Sequence, residues 1–155
     1  MATQWGASTA VVAPNGTMVR LDGNKPGIVE HIETGRIYLD GRVHVGAMDG
    51  VIRDRLKLAR NGQVVVAVVV DMDGDLIADP EVRCPGAPQT APGWNGTLDE
   101  MIAKAVDDAL ETAPKKAKRT DEGLEQIISR TSRGVAVRHW GKKPVVTILI
   151  TRLED

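Results

Sequence analysis

The chain carries one cysteine, Cys84, in 155 residues, so no internal disulfide can form and a fold stapled by bridges is excluded. A lone cysteine of this kind reads as a small buried hydrophobe rather than a nucleophile. Aromatic residues make up 3% and Phe is absent, which removes the stacking platform that single-strand nucleic-acid binders generally present. No apolar stretch approaches the ~20 residues needed to span a bilayer, and the N-terminus lacks the basic-then-apolar order of a secretory signal. A cytoplasmic setting with no membrane partner is expected. The formal net charge of −1 and the hydrophobic fraction of 42% exclude a disordered or strongly polybasic chain. Asn15-Gly16-Thr17 and Asn95-Gly96-Thr97 fit the glycosylation pattern, but without a secreted context both read as turns.

What the chain does have is two apolar runs, Val64 to Val70 and Val145 to Ile150, separated by two helix-like segments. Each run is unbroken rather than alternating, and a strand that is apolar on both sides expects cover on both faces. Helices can cover one face; the other calls for a partner. A length of 155 residues suits one domain with an appendage.

From Ala10 to Asp40, short strand candidates (Ala10 to Ala13, Thr17 to Leu21, Ile28 to Ile32, Arg36 to Leu39) are punctuated by Pro14-Asn15-Gly16, Asp22-Gly23-Asn24, Thr34-Gly35 and Asp40-Gly41. Gly and Asn there supply the positive φ of tight turns, and the stretch reads as a small β meander. Met1 to Ser8 reads like the end of a truncated segment, although a natural N-terminus fits as well. The stretch Val51 to Leu58 fits a strand or a short helix. Asn61-Gly62 turns into a strand over Gln63 to Asp71, and Asp73-Gly74 reverses it into a second over Asp75 to Val82. Thr97 and Glu100 make a capping box for a helix with Met101, Ile102, Ala105, Val106, Ala109 and Leu110 on one face; Pro114 stops it. Thr120 or Asp121 caps a second helix with Leu124, Ile127, Ile128, Thr131 and Val135 inward, and Gly141 ends it before the last strand. The fold class is α/β in the broad sense, more strictly α+β. From Asn61 a β-β-α-α-β unit places a three-stranded sheet on two helices, preceded by the short meander. The last strand should run parallel to the first and antiparallel to the second.

The order Asn15-Gly16, Gly35-Arg36-Ile37-Tyr38-Leu39-Asp40-Gly41, Arg53-Asp54-Arg55-Leu56 and Asn61-Gly62 before the valine run resembles the C-terminal part of bacterial ribonuclease J. The ending Gly141-Lys142-Lys143-Pro144-Val145-Val146-Thr147-Ile148-Leu149-Ile150 is similar to that family's closing helix-to-strand junction. The resemblance implies a parent enzyme with a metallo-β-lactamase fold and an inserted β-CASP domain, which degrades RNA from the 5′ end and cuts internally with two zinc ions. Residues 1–40 would then be tail strands of the catalytic β-lactamase domain, 41–60 a linker and 61–155 the C-terminal domain, an accessory module for oligomerisation. The family's H-x-H-x-D-H metal signature is absent. His31, His44 and His139 place no two imidazoles on one face of a single element. No catalytic or metal residue is therefore expected in this chain, no cofactor is expected in it, and the two zinc ions would belong to the full-length parent. Asp79 to Gly86 departs from the family pattern.

Asp71-Met72-Asp73-Gly74-Asp75 invites a calcium reading, yet its glycine comes too early for an EF-hand and the twelfth position is Val82, so a hairpin turn is the better reading. His139 beside Trp140 reads as a closure of the helix against the sheet. Between Thr112 and Lys143, nine cations (Lys115, Lys116, Lys118, Arg119, Arg130, Arg133, Arg138, Lys142 and Lys143) face three acids, and such a strip can follow a phosphate backbone. The same cations also fit an ordinary solvated helix surface, favourable near a helix C-terminus; RNA is thus a candidate partner, beside the expected ones, the parent's catalytic domain and a second copy of the chain. Val64, Val66, Val68, Val70, Val146, Ile148 and Ile150 are the expected contact residues of a homo-oligomer, most simply a dimer, formed through an exposed sheet face or a paired edge. The alternative is a free-standing RNA-binding or assembly domain without a catalytic partner.

Overall fold

The computed structural model describes residues 2–7, 9–22 and 25–153. They divide into two compact units, Met1–Arg53 and Asp54–Asp155.

In the first unit a 3-10 turn covers Ala2–Trp5. Strand β1 (Thr17–Arg20) pairs antiparallel with β2 (Gly27–His31), and β3 (Ile37–Asp40) with β4 (Val43–Gly46). The expected meander is thus two separate two-stranded sheets, and Ala10 to Ala13 is no strand. Gly41-Arg42 turns β3 into β4 directly after the expected Asp40, with Gly41 at φ +63°. Gly23 and Asn24 of the expected turn lie outside the described residues, as do Met1 and Ser8 of the opening segment. Val45 is buried, whereas Ile28, Val29, Ile37, Leu39 and Val43 are exposed. A hairpin alone is marginal in water.

The second unit holds most of α1 (Gly50–Asn61), then β5 (Gln63–Val70), β6 (Glu81–Arg83), α2 (Leu98–Thr112), the short α3 (Lys115–Lys118), α4 (Asp121–Trp140) and β7 (Val145–Arg152). The stretch that fitted either strand or helix is α1, so the expected linker contains β4 and most of a helix. Gly62 ends α1 at φ +66° and donates to Leu58 O over 2.8 Å; a Cβ there would stand 2.9 Å from the Trp140 ring. The sheet order is β6-β5-β7, with β6 antiparallel and β7 parallel to β5. The β5–β7 register runs unbroken from Gln63 opposite Val145 to Val70 opposite Arg152. The second strand is shorter than Asp75 to Val82: Pro80 lacks a ladder donor, and pairing before Glu81 reduces to one bridge between Val70 and Leu76.

The capping box of α2 forms, with Glu100 N donating to Thr97 Oγ1 (3.2 Å) and Thr97 N to Glu100 Oε2 (2.8 Å). Thr120 caps α4, and Gly141 closes it at φ +80°. Leu98, Ile102, Val106 and Leu110 of α2 meet Leu124, Ile128 and Val135 of α4 over Val64, Val66, Val68, Val70, Val82 and Cys84. Burying a Leu or Ile side chain of this kind contributes about 1.5–3 kcal/mol. Burial along β5 alternates strictly although the sequence does not: its even-numbered valines are sealed, while Gln63, Val65, Ala67 and Val69 are half-buried. One face of the sheet is therefore core and the other is not.

Candidate functional site

Edge strand β7 is hydrogen-bonded to a neighbour on one side among the described residues. Val145 N donates to Gly62 O (3.1 Å) and Leu153 N to Val70 O (3.0 Å). In a parallel ladder alternate residues turn both backbone groups the same way, so the odd-numbered residues of β7 bond β5. The N–H and C=O of Val146, Ile148 and Ile150 point to the free edge. Beside that edge lies an open groove of about 640 Å³ between Glu125, Gln126, Ser129, Arg130 and Arg133 of α4 and the side chains of Val146 and Ile148. Arg152 locks the far end of the strand. Its Nε donates to Asp121 Oδ1 (2.8 Å), Nη1 to Asp71 O (3.2 Å) and Nη2 to Lys118 O (3.0 Å).

The residues expected to meet a second copy lie on the core face. Val64, Val66, Val68 and Val70 are at most 1% exposed, and Val146, Ile148 and Ile150 pack partly against the same cluster. The four valines cannot reach a partner without opening the core, because the α2–α4 pair fills the space above them. On the opposite face stand Val65, Ala67, Val69, Val145, Thr147 and Leu149, of which Leu149 is 56% exposed. There Gln63 Nε2 donates to Thr147 Oγ1 (2.9 Å).

The expected basic strip separates into parts. Lys118 is corrected outright: it is 4% exposed and its ammonium bonds the Asp75 carboxylate, so it cannot serve a phosphate. Arg119 Nη2 donates to Asp73 Oδ1 (3.3 Å), which leaves Lys115 and Lys116 as the exposed cations of α3. At the other end of α4, a helix of twenty residues and so about 30 Å long, Lys142 Nζ donates to Arg60 O (2.9 Å) and lies 5.4 Å from the centroid of Trp140. Arg133 and Lys143 share a second groove with Lys57, Val137 and Val145, and Arg130 borders the first. Arg138 is exposed.

The family model of the ribonuclease J C-terminal domain matches residues 50–153. This chain belongs to that family. It is 32% identical over 139 residues to the ribonuclease J of Sinorhizobium meliloti, covering 90% of this chain and 24% of that protein. Against the ribonuclease J of Corynebacterium glutamicum it is 26% identical over 138 residues, covering 88% and 18%. It thus spans a quarter or less of the length of these relatives.

In this ribonuclease J C-terminal domain the Asp71–Asp75 segment is a turn that uses its own acids. Asp71 Oδ1 accepts from Asp75 N (2.8 Å), Gly74 N donates to Asp71 O (3.1 Å), and Asp73 and Asp75 hold Arg119 and Lys118. The hydrogen bond from Lys118, then its charge, lowers the Asp75 carboxyl below its ordinary value. Burial, followed by Asp99, pushes the Cys84 thiol up to about 12, which suits a packing residue. Among the described residues no three His, Cys, Asp or Glu side chains come together to hold a metal ion. They do not fit a dinuclear zinc site, and no zinc chemistry is assigned to them. His139 meets Trp94 edge-on at 6.0 Å. Two residues of this edge and groove escaped the sequence reading. Arg152, a cation ending an apolar strand, could have been suspected of an inward role; Ser129, in the middle of the groove, gave no signal. No helix of the described residues is long and apolar enough to cross a membrane.

Proposed function

We propose that this chain is an accessory module of a ribonuclease J-like RNA-degrading enzyme and acts by assembly, joining catalytic bodies into a homodimer. The observation that carries the reading is the unblunted outer edge of β7, an eight-residue apolar-rich strand whose Val146, Ile148 and Ile150 offer backbone donors and acceptors on the side where no second strand lies among the described residues. Such an edge is a template for pairing unless it is covered. The hairpins of the first unit, with Ile28, Ile37, Leu39 and Val43 exposed, support their role as tail strands of a larger β-lactamase-fold domain. That domain and its β-CASP insertion would hold the two zinc ions and cut RNA in the cytoplasm. Light scattering of the whole chain over a concentration series, at low and moderate salt, tests the assembly. A mass near twice 16.7 kDa is expected, and a monomer at every concentration refutes it.

A second reading, RNA contact, rests on the groove shared by Lys57, Arg133 and Lys143. It requires salt-sensitive binding of a single-stranded RNA that weakens in Lys143→Ala; affinity that this variant leaves unchanged refutes it.

A further inference from the structure

Resting on the assembly reading, we propose that two copies of this chain pair antiparallel along β7 about a two-fold axis at Ile148. The two α4 helices then lie antiparallel beside each other, centred on Ser129.

The sheet itself selects the edge. Strand β6 is three residues long and flanked by Pro80 and Pro85, the short and donor-poor kind of edge that resists pairing. Strand β7 is eight residues, its register with β5 shows no bulge, and no charge interrupts Val145 to Thr151. Pro144 immediately precedes it.

Backbone geometry restricts the register. Residues opposite each other in an antiparallel pair project to the same face, so the core-side set Val146, Ile148 and Ile150 must meet its own kind in the second copy. A two-fold axis at Ile148 sets Ile148 against the partner's Ile148 and Val146 against the partner's Ile150. These are the residues whose N–H and C=O face outward, so each pair exchanges two hydrogen bonds. On the other face Thr147 meets the partner's Leu149. Pro144 falls opposite the partner's Arg152, and the ladder stops where its donor is missing.

The helix gives an independent reason for the same centre. Asp121 is tied to Arg152 at one end of β7, and Val137 borders a groove with Val145 at the other. Ser129 is midway between Asp121 and Val137, beside Ile148 in the first groove. Glu125 and Arg133 stand one helical turn either side of Ser129, both exposed and both lining that groove. An antiparallel match centred on Ser129 therefore brings Glu125 of each copy to Arg133 of the other, twice by symmetry. Such a self-complementary charge pair fits an isologous contact and sets its register.

The test is a charge-reversal cycle on the whole chain, with dimer dissociation constants from sedimentation at low salt and folding checked by circular dichroism. Glu125→Arg and Arg133→Glu each set like charges across the axis, and each should raise Kd about tenfold or more. The double variant restores opposite charges and should return Kd to within about threefold of the unaltered chain. Amides of Val146 and Ile148 should exchange slowly in the dimer and quickly on dilution. A dimer indifferent to both single changes, a double variant weaker than either single one, or rapid exchange at Ile148 within the dimer overturns this interface and leaves the assembly reading standing. A chain that is monomeric throughout overturns both.

Discussion

Replacing Ser132 by alanine should make this domain more stable. Ser132 is fully buried on the inward stripe of α4, between Ile128 one turn before and Ala136 one turn after, and its hydroxyl has no hydrogen-bond partner among the described residues. A buried hydroxyl without its bond costs about 1–3 kcal/mol relative to one left in water. Alanine abolishes that cost and gains a few tenths of a kcal/mol (~0.5) in helix propensity. Against this stands a void of one oxygen atom, worth about 0.3 kcal/mol at the usual cost per unit of cavity volume. The net expectation for Ser132→Ala is a gain of about 1–3 kcal/mol, or a melting temperature higher by about 3–9 °C for a chain of this size. Urea unfolding followed by circular dichroism should show a higher midpoint at an unchanged slope. A loss of stability of about 1 kcal/mol or more would refute the reasoning, because it would mean that the hydroxyl is bonded in solution, for instance to the Ile128 carbonyl.

Ile128→Ala, at the centre of the α2–α4 contact and fully buried, should cost about 2–5 kcal/mol in the same urea assay. The Cys84 thiol, held near 12 by burial, should resist a thiol-exchange reagent at pH 8 until denaturant opens the core; rapid labelling of the folded chain would contradict its packing role. Asp75 has its carboxyl pKa lowered on folding, so its contribution is complete above the ordinary value of 3.8 and is lost as pH falls through the lowered one. Stability measured between pH 5 and 2 should therefore fall less steeply in Asp75→Asn than in the unaltered chain; parallel slopes would disprove the linkage.

Helices α2 and α4 and the strand directions of the second unit were legible because their signals are local, whereas the sequence of α1 fits strand and helix alike and α3 was not foreseen. Thr97 with Glu100, Thr120, and Gly141 mark helix ends by chemistry that acts within one turn. The return of an α-hairpin dictates that β7 runs parallel to β5. Family membership was legible through short motifs in order. Sidedness was not, because valine stands on both faces of β5 and the period that would separate core from surface is invisible in a run of identical side chains. The contact residues chosen from that run were accordingly core residues. Lys118 misled for a related reason. Helix α3 has four residues, three of them lysine, so it shows no apolar period, and its burial comes from the Asp71–Asp75 turn closing over it from forty residues away. A Cβ on Gly74 would stand 2.2 Å from Lys118 O, which shows how close that approach is. Sequence counts a cation; the packing decides whether it meets solvent.

Once the core is accounted for, what remains apolar needs a different cause. Leu149 projects away from α2 and α4, and Val65 and Val69 share its face. A polar residue at any of these three positions would leave Val64, Val66 and Val68 sealed as before, so folding of the second unit alone does not demand their apolar character. An unpaired edge carries a standing risk of non-specific pairing, which a single Lys or Pro between Val145 and Thr151 would have removed. Both features act on the same side of the molecule, the edge and outer face of β7, while the β6 edge is short and capped by the Arg83–Glu81 ion pair at 3.1 Å. Exposed backbone donors, an apolar flank and a charge pair symmetric about Ser129 are each unremarkable alone. Together they are what a strand needs in order to accept one partner in one register, and the charge pair is the part that excludes the others.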